Sequence, residues 1–306
     1  MLIKDPPVEI AEGVRMLGTN EYPVLLVTDV DEGAIFEGGV GAVGPVVKEQ
    51  LAGMDIAVDL VKQVIITHAH PDHVMAVPAF RAMFPGVTVC ASKIAAGTLA
   101  VEKAVRFFTK IDGMLTEELI KAGSITEKHR PQPLTEKQIA VDKIIADGDT
   151  LTVGRREFDV LATPGHSDCS LSFHESATRL LIISDATGYY IPDSGYFWPN
   201  YFADYGAYLE SIRRLAALDA EIVCLSHNAA VKGAQAVNAY FAAAAASTEA
   251  YHERIVTEIG AGKSPEEIAQ QLGIEVHEKT QLLGVEFFQK NCELLVKQSA
   301  KYSQND

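Results

Sequence analysis

The chain has 306 residues, 48% of them apolar and 22% charged, a composition that excludes a disordered chain or a coiled coil as the overall architecture. Its 26 basic and 41 acidic residues give a net charge of −15, so we expect no binding to nucleic acid or to an anionic membrane surface. No apolar run is long enough to cross a membrane, the N-terminus lacks a signal-peptide pattern, and the four cysteines form no C-x-x-C pair. A cytoplasmic protein with reduced cysteines is therefore expected.

The first third of the chain alternates short β-rich runs with turn residues. These runs predict strands at about 14–17, 23–29, 34–36, 64–67 and 87–91, with helices at about 44–54 and 73–84. Residues 92–137 change to helical periodicity and end in a polar segment that contains prolines. This change predicts a helical insertion between the two halves of a sheet.

Strands return after the insertion, and helices follow them toward the end of the chain. The pattern predicts strands at about 141–145, 151–153, 156–162, 169–174, 179–184 and 222–225. Residues 233–301 have the periodicity of three helices, one of which begins at Pro265 with Ser264 as its N-cap. The predicted organisation is a core at 1–230 followed by a helical C-terminal extension at 231–306.

The segment Thr-His-Ala-His-Pro-Asp-His-Val follows an apolar strand and contains His68, His70, Asp72 and His73. Strand alternation puts His68 and His70 on one side, and the turn at Pro71 brings Asp72 and His73 to the same place. Imidazole nitrogens and a carboxylate at this spacing suit a divalent transition metal. Chance would produce the pattern on the order of once in a thousand such chains, so the segment predicts a metal site.

Three further polar residues, His166, Asp185 and His227, also come at the ends of apolar strands. Each of them alone is typical of a cap or a solvated turn residue. Together with the first cluster, they would converge at one edge of a sheet. Five histidines and two aspartates would provide enough ligands for two metals, with one carboxylate free to bridge them.

The order of these motifs resembles that of the metallo-β-lactamase superfamily over roughly residues 12–230. The resemblance implies an α/β fold, the αββα sandwich, with metals at one edge and with a helical insertion and a helical C-terminal extension added. It implies that His68, His70 and His166 bind one metal, that Asp72, His73 and His227 bind a second, and that Asp185 bridges them. The insertion, Glu-Gly-Gly near residue 37, Gly-His-Ser-Asp and the helical tail are similar to the thioesterase-type branch that includes the quinolone-signal response protein, a 2-aminobenzoylacetyl-CoA thioesterase.

The sequence departs from several relatives at its ligand positions. Many have Gly-His-Gly around the last ligand, whereas this chain has Ser226-His227-Asn228, which implies a different local backbone. Asp185 stands where many antibiotic-hydrolysing members carry Cys, and His70 stands where flavodiiron proteins carry Glu. These differences disfavour β-lactam hydrolysis and oxygen reduction, and the acidic charge disfavours a tRNA-processing nuclease.

The resulting expectation is a dinuclear hydrolase of a small acyl substrate, in which a hydroxide between two divalent metals attacks a carbonyl. Asp72 and Asp185 are the expected catalytic residues, and the metals are expected to be Zn or Fe, with Mn as a further option. A thioester is the preferred substrate because a thiolate leaves without a strong general acid. Lactone or phosphodiester hydrolysis, a metal-containing signalling or effector protein that acts through its helical surface, and an iron-dependent sulfur dioxygenase are the alternatives.

The loop at 187–206 is rich in aromatic residues and follows the expected bridging aspartate. Its side chains either line a substrate pocket or pack against the helical tail; the candidates for substrate binding are Tyr189, Tyr190, Tyr196, Trp198, Tyr201 and Phe202. With the insertion and the tail, this loop is predicted to close a restricted pocket over the metals. An apolar stripe on the tail could instead form a homodimer contact; it consists of Leu282, Val285, Phe288 and Cys292.

Overall fold

Two seven-stranded β-sheets lie face to face in the computed structural model, which describes residues 1–304. The strands are β1 (Leu2–Ile3), β2 (Val8–Ala11), β3 (Val14–Gly18), β4 (Pro23–Asp29), β5 (Glu32–Phe36), β6 (Val61–Ile65), β7 (Thr88–Ala91), β8 (Lys143–Ile144), β9 (Thr150–Val153), β10 (Arg156–Ala162), β11 (Leu171–Glu175), β12 (Leu180–Ile182), β13 (Tyr189–Ile191), β14 (Tyr196–Trp198), β15 (Ile222–Cys224) and β16 (Ala230–Lys232). The helices are α1 (Val43–Gly53), α2 (Val77–Met83), α3 (Lys93–Leu99), α4 (Glu102–Ala122), α5 (Tyr205–Ala216), α6 (Ala234–Gly260), α7 (Pro265–Thr280) and α8 (Val285–Ser303).

Strand order differs between the two sheets. The first has the order β2-β3-β4-β5-β6-β7-β8, in which β2 to β5 are antiparallel and β5 to β8 are parallel. The second has the order β1-β16-β15-β12-β11-β10-β9 and is antiparallel except for the β12–β15 pair. Parallel neighbours need crossover connections, and helices α1 to α4 occur in the crossovers of the first sheet.

Side-chain alternation along β4 shows how the sequence builds two apolar layers. Leu25 and Val27 belong to the core between the sheets, whereas Val24 and Leu26 belong to the layer that packs against helices. Successive side chains of a strand point to opposite faces, so a continuous apolar run is required where both faces are covered. The αββα sandwich predicted from the sequence is confirmed, as is the helical C-terminal region.

Some element boundaries differ from the predictions, either because a proline-containing turn delays a helix or because a short strand pairs with a distant segment. The helix predicted from residue 73 begins at Val77, because Pro71–His73 forms a short 3-10 turn before it. The loop at 187–206 contains the hairpin β13–β14, and the N-terminal β1 pairs with β16. These strands of two or three residues depend on distant pairing partners, which the local pattern does not encode.

Three helices form the C-terminal region, as the periodicity predicts. Ser264 caps α7, and its hydroxyl accepts the N–H of Glu267, whose carboxylate in turn accepts the N–H of Ser264. Gly273 allows α7 to approach α8, because a Cβ there would lie 2.5 Å from the Cα of Gln289. No helix within residues 1–304 combines the length and the apolar character that a membrane crossing requires.

Candidate metal centre

Strand ends determine where the seven motif residues lie. His68, Asp185 and His227 each come three residues after a strand, namely β6, β12 and β15. His166 follows β10 by four residues, and Asp72 and His73 lie in the 3-10 turn after His68. The structure brings all seven side chains together at one edge of the sandwich, and all are buried or half-buried.

Three histidines surround one point of this edge. His166 Nε2 lies 3.2 Å from His68 Nε2 and 2.8 Å from His70 Nδ1. The ligand atoms of the three lie within 4.8 Å of one another, which is the spacing of a metal site. This group can hold one ion.

A second group of possible ligand atoms consists of Asp72, His73 and His227, also within 4.8 Å of one another. Asp185 lies between the two groups. Its Oδ2 is 3.4 Å from His166 Nε2 and 3.6 Å from His73 Nε2, and its Oδ1 is 3.3 Å from His227 Nε2. A single carboxylate therefore faces both groups.

Hydrogen-bond acceptors fix the ring orientation of three of the histidines. His166 Nδ1 donates to the carbonyl of Asn200 at 2.9 Å, and His227 Nδ1 donates to the carbonyl of Glu21 at 2.7 Å. His73 Nδ1 lies 2.8 Å from the carboxylate of Glu37. Since an acceptor holds the proton on Nδ1, each neutral ring presents an unprotonated Nε2 to the centre.

Glu37 begins the Glu-Gly-Gly segment named above, but no role at the metal centre is expected for it from the sequence alone. Its carboxylate is buried and also accepts the hydroxyls of Thr67 at 2.9 Å and Ser226 at 3.0 Å. It thereby links three segments that carry His68, His73 and His227. The available signal was an acid directly after the apolar strand β5, the same signal that identified Asp185.

Burial governs the pKa values of the first group. It lowers the pKa of His68 and of His166, and it lowers the pKa of His70 to about 3. These three imidazoles are consequently neutral near neutral pH. A neutral ring nitrogen is the form that binds a metal.

Charges dominate over burial in the second group. Burial alone would lower the pKa of His73 and His227, but nearby carboxylates outweigh it and raise both; Asp72 acts most strongly on His73 and Asp185 on His227. Burial alone would raise the pKa of Asp72 and Asp185, and the nearby histidines reverse that effect. The carboxylates are therefore ionised, as ligands must be.

Two orphaned atoms test whether this centre suits a metal. His73 Nε2 and Asp185 Oδ1 are buried and have no hydrogen-bond partner within the described residues. The facing ring nitrogens around His166 cannot all carry protons, and their spacing is close to the roughly 3.3 Å expected between ligand atoms 2.0–2.1 Å from a tetrahedral zinc ion. A divalent cation would satisfy all of these atoms, so the residues fit a metal.

The Ser-His-Asn sequence around the last histidine keeps the required local backbone. Asn228 has a φ of 67°, in the left-handed region that glycine usually occupies and that asparagine tolerates best among other residues. Its side-chain amide donates to the carbonyl of Tyr190 at 2.7 Å. Together with the Ser226–Glu37 bond, this conformation lets His227 join the cluster without either glycine.

An apolar cavity of about 270 Å³ opens onto five of the seven residues, namely His70, Asp72, His166, Asp185 and His227; we call it the metal cavity. Its wall combines Phe107, Phe108, Ile111 and Leu115 of α4 with Leu282, Leu283, Phe287, Phe288, Asn291 and Leu294 of the C-terminal region. No lysine or arginine of the described chain lines it. The insertion and the tail thus cover the metal edge on two sides.

The six aromatic candidates for substrate binding divide into two sets. Tyr189, Trp198 and Phe202 line the metal cavity. Tyr190, Tyr196 and Tyr201 do not, because each packs against the C-terminal helices: Tyr190 against the ring of Tyr240, Tyr196 on the hydroxyl of Tyr251 and Tyr201 on that of Ser299. Part of the loop therefore forms a wall of the cavity, and the rest packs against the C-terminal helices.

The apolar stripe on the tail is mostly internal. Phe288 and Cys292 are fully buried, and the ring of Phe288 lies 5.3 Å from that of Trp198. Leu282 and Val285 are half-buried. The stripe packs within the chain for these reasons, and a homodimer stays a prediction.

A two-sheet sandwich with a histidine- and aspartate-rich cluster at one edge defines a class of metal-binding α/β proteins. The family model described as metallo-beta-lactamase superfamily matches residues 20–227. The chain belongs to this superfamily and is a metallo-β-lactamase-fold hydrolase, with a histidine–aspartate cluster suited to divalent metal.

Solved structures agree with this fold. A metallo-beta-lactamase family protein from Thermus thermophilus is 18% identical with a TM-score of 0.65, over 97% of this chain and 95% of that chain. The MIM-1 metallo-β-lactamase from Novosphingobium pentaromativorans is 22% identical with a TM-score of 0.58, over 84% and 92% of the two chains. A metallo-β-lactamase from Cronobacter sakazakii is 18% identical with a TM-score of 0.57, over 83% and 95%.

Proposed function

We propose that this protein hydrolyses a small, uncharged acyl substrate, preferably a thioester, with two divalent metals. One observation carries the proposal: five of the seven clustered side chains of ligand type line an apolar cavity that no lysine or arginine of the described residues lines. Metal sites of this kind serve acyl transfer when the cavity above them orients a carbonyl.

The proposed ligand sets follow the two groups of atoms. His68, His70 and His166 would hold one metal, Asp72, His73 and His227 the other, with Asp185 between them; this set also contains the proposed catalytic carboxylates Asp72 and Asp185. Bound metals would supply an activated water and polarise the carbonyl oxygen of the substrate. Zinc and iron are the proposed metals, with manganese as a further option, because imidazole and carboxylate ligands suit all three.

The protein itself would orient the acyl group and exclude water. Phe108, Ile111 and Leu115 offer one apolar wall from α4, and Phe287 and Phe288 offer another from α8. A water-poor site strengthens every charge interaction at the carbonyl. The acyl group of the substrate would lie between these two walls.

Tyr189 is a polar group of this wall and lies beside the second ligand group. Its ring centroid is 4.9 Å from that of His227. Burial raises the pKa of the Tyr189 phenol, so it keeps its proton at neutral pH. Its hydroxyl donates a long hydrogen bond of 3.4 Å to Asn228 Oδ1, and a substrate oxygen would compete for that proton.

Substrate charge distinguishes the candidate reactions. A carboxylate or phosphate placed away from the metals would find no lysine or arginine of the described chain in the wall. Uncompensated charge in an apolar cavity is costly. A neutral thioester or lactone therefore fits this cavity better than a phosphodiester.

A panel of matched substrates tests the proposal. The protein, loaded in turn with Zn(II), Fe(II) and Mn(II), is assayed with S-octanoyl and S-benzoyl N-acetylcysteamine, the corresponding oxygen esters, a medium-chain lactone and bis(p-nitrophenyl) phosphate. The thioesters are expected to give kcat/KM values about tenfold or more above the phosphodiester. Preference for the phosphodiester contradicts the substrate class, and oxidation of a persulfide without hydrolysis of any ester contradicts the reaction type.

A matched pair of variants separates the site from general effects of losing a charge. Asp185→Asn is expected to lower thioester hydrolysis by at least about a hundredfold, since it removes the carboxylate shared by both ligand groups. Asp168→Asn changes an exposed aspartate two residues after His166 and is expected to leave hydrolysis unchanged. Elemental analysis of each variant, as isolated, measures how many metals it retains. Full activity of Asp185→Asn contradicts the proposal.

A further inference from the structure

A second cavity, of about 660 Å³, lies on the other side of α4 from the metal cavity; we call it the α4 cavity. Phe108, Ile111 and Leu115 face the metal cavity, whereas Asp112 and Thr116 face the α4 cavity. Residues four apart on a helix share a face, so Asp112 and Thr116 point to the same side. Helix α4 is therefore a partition between two cavities.

Asp112 is a buried acid that has no cationic partner among the described residues. One carboxylate oxygen accepts the N–H of Gly41 at 2.6 Å. A Cβ on Gly41 would lie 2.5 Å from the other oxygen, so the close approach requires glycine. Burial raises the pKa of Asp112 to about 6, and it is still mostly ionised at neutral pH. A buried carboxylate with one hydrogen bond can accept more.

Thr116 is a second unsatisfied group on the same wall. Its hydroxyl oxygen is buried and has no hydrogen-bond partner within the described residues. A threonine inside a helix usually bonds the carbonyl four residues earlier, as Thr109 does with Val105 at 2.9 Å. Thr116 does not, so its hydroxyl has an unmet hydrogen bond at the wall of the α4 cavity.

The rest of the α4 cavity is mainly apolar and includes Met75, Pro78, Met83, Pro133 and Leu134. Lys48 and Arg130 also line it, but the Lys48 side chain is exposed and forms no ion pair with Asp112 among the described residues. Arg130 is held by Glu117 and Glu127. Within the described chain, Asp112 therefore lacks a cationic partner and Thr116 lacks a hydrogen-bonding partner, and a positively charged donor next to the apolar surface would suit them best.

The geometry points to a binding site for a small amine in the α4 cavity: an ammonium group placed on Asp112 and Thr116, and an apolar body against Met75, Met83 and Leu134. Such a ligand would touch the segment that carries the second ligand group, because Met75 lies two residues after His73 and its N–H donates to the carbonyl of Gly39 at 2.9 Å. The site is separate from the proposed hydrolysis, and its test measures binding directly.

The test uses 2-phenylethylamine, with 2-phenylethanol as the neutral analogue and 3-phenylpropionate as the anionic one. Protein labelled with ¹³C at the methionine methyl groups reports the location, because Met75 and Met83 line the α4 cavity and no methionine of the described residues lines the metal cavity. The amine is expected to bind about tenfold or more tightly than either analogue, because its bond to the carboxylate is charge-assisted, and to shift both methyl signals.

Three variants locate the interaction. Asp112→Asn keeps an acceptor for Gly41 but removes the charge, and it is expected to abolish the preference for the amine. Thr116→Val is expected to weaken amine binding about threefold, as the loss of one hydrogen bond does. Thr109→Val is the matched control, since its hydroxyl is already bonded to Val105, and amine affinity should not change.

Three results would overturn the inference. The first, which needs no variant, is equal affinity of the wild-type protein for the amine and the alcohol. The second is amine binding that leaves the Met75 and Met83 signals in place. The third is an Asp112→Asn protein, folded by circular dichroism, that retains the preference for the amine.

Discussion

Single acceptors remote in sequence determine how the candidate ligands are oriented. His227 takes its orientation from Glu21, which lies 206 positions away, and His73 takes its own from Glu37. The identities of His73 and His227 could be predicted from motif spacing, but their acceptors could not. Such bonds form only when distant strand ends meet, and the spacing of residues along the chain carries no record of that meeting.

Glu37→Gln tests the most connected of these acceptors. Glutamine preserves the shape but weakens the bond from His73 Nδ1, so the ring is held less firmly and its Nε2 becomes a poorer ligand. We expect affinity for one of the two metals to fall roughly 10- to 100-fold. Competition with a chelator measures the metal affinity of the variant and of the wild type. The control is Glu157→Gln on the exposed face of β10, and equal metal affinity of the two variants would contradict the role of Glu37.

Asp112→Asn should change the pH dependence of stability. Because burial raises the pKa of Asp112 to about 6, the folded protein binds this proton more strongly than the unfolded chain does. The free energy of unfolding consequently falls as pH rises from about 4 to about 6, by roughly 2–3 kcal/mol. Because Asn does not ionise, the variant does not lose this unfolding free energy as pH rises. It should be more stable than the wild type at pH 7.5 and similar at pH 4. Urea unfolding at the two pH values measures this, and a variant that is less stable at pH 7.5 contradicts it.

Among the elements, α4 was the one whose existence could be predicted and whose role could not. Its helical periodicity is clear in the sequence, since buried positions such as Val105, Phe108, Leu115 and Leu119 recur at helical spacing. That pattern shows one apolar face, whereas the helix has a cavity on each of two faces. The second face depends on the segment at 130–136, which folds over α4 without regular structure.

Helix glycines offer a test at this scale. A Cβ on Gly113, in the middle of α4, would meet no atom within 4 Å, so Gly113→Ala gains helix propensity without a clash. We expect it to raise the free energy of unfolding by about 0.5–1 kcal/mol. Gly273→Ala is the matched comparison, because its Cβ would collide with the backbone of Gln289, and it should lower stability instead. Thermal unfolding of both variants measures the two changes in stability. A change of the same sign in both would contradict the packing of α7 on α8.

At the scale of the whole molecule, local patterning predicted the strands and helices, and the family resemblance of the ligand motifs predicted the sandwich. Alternation in strands such as β4 and the order of His68, His166, Asp185 and His227 reflect one topology, because each residue follows a strand end. The helices that cover the metal edge could not be placed there from the sequence in the same way. Their placement depends on contacts such as that between Gln298 of α8 and the carbonyl of Phe202, which join segments that no shared pattern links.

Metal removal is the prediction that involves the whole chain, because the proposed ligands come from both sheets. A metal that binds only the folded state at a thousand times its Kd stabilises that state by about 4 kcal/mol, so exhaustive chelation should lower the Tm by several degrees. The effect should shrink in acid: the carboxylates raise the pKa of His73 and His227, and metal must displace those protons. Calorimetry of the metal-loaded and chelated protein at pH 7.5 and 5.5 measures the fall in Tm on chelation and how far that fall shrinks in acid. The Asp185→Asn protein serves as the control, with a smaller difference expected at each pH. An unfolding transition that chelation leaves unchanged at pH 7.5 would show that the cluster binds no stabilising metal.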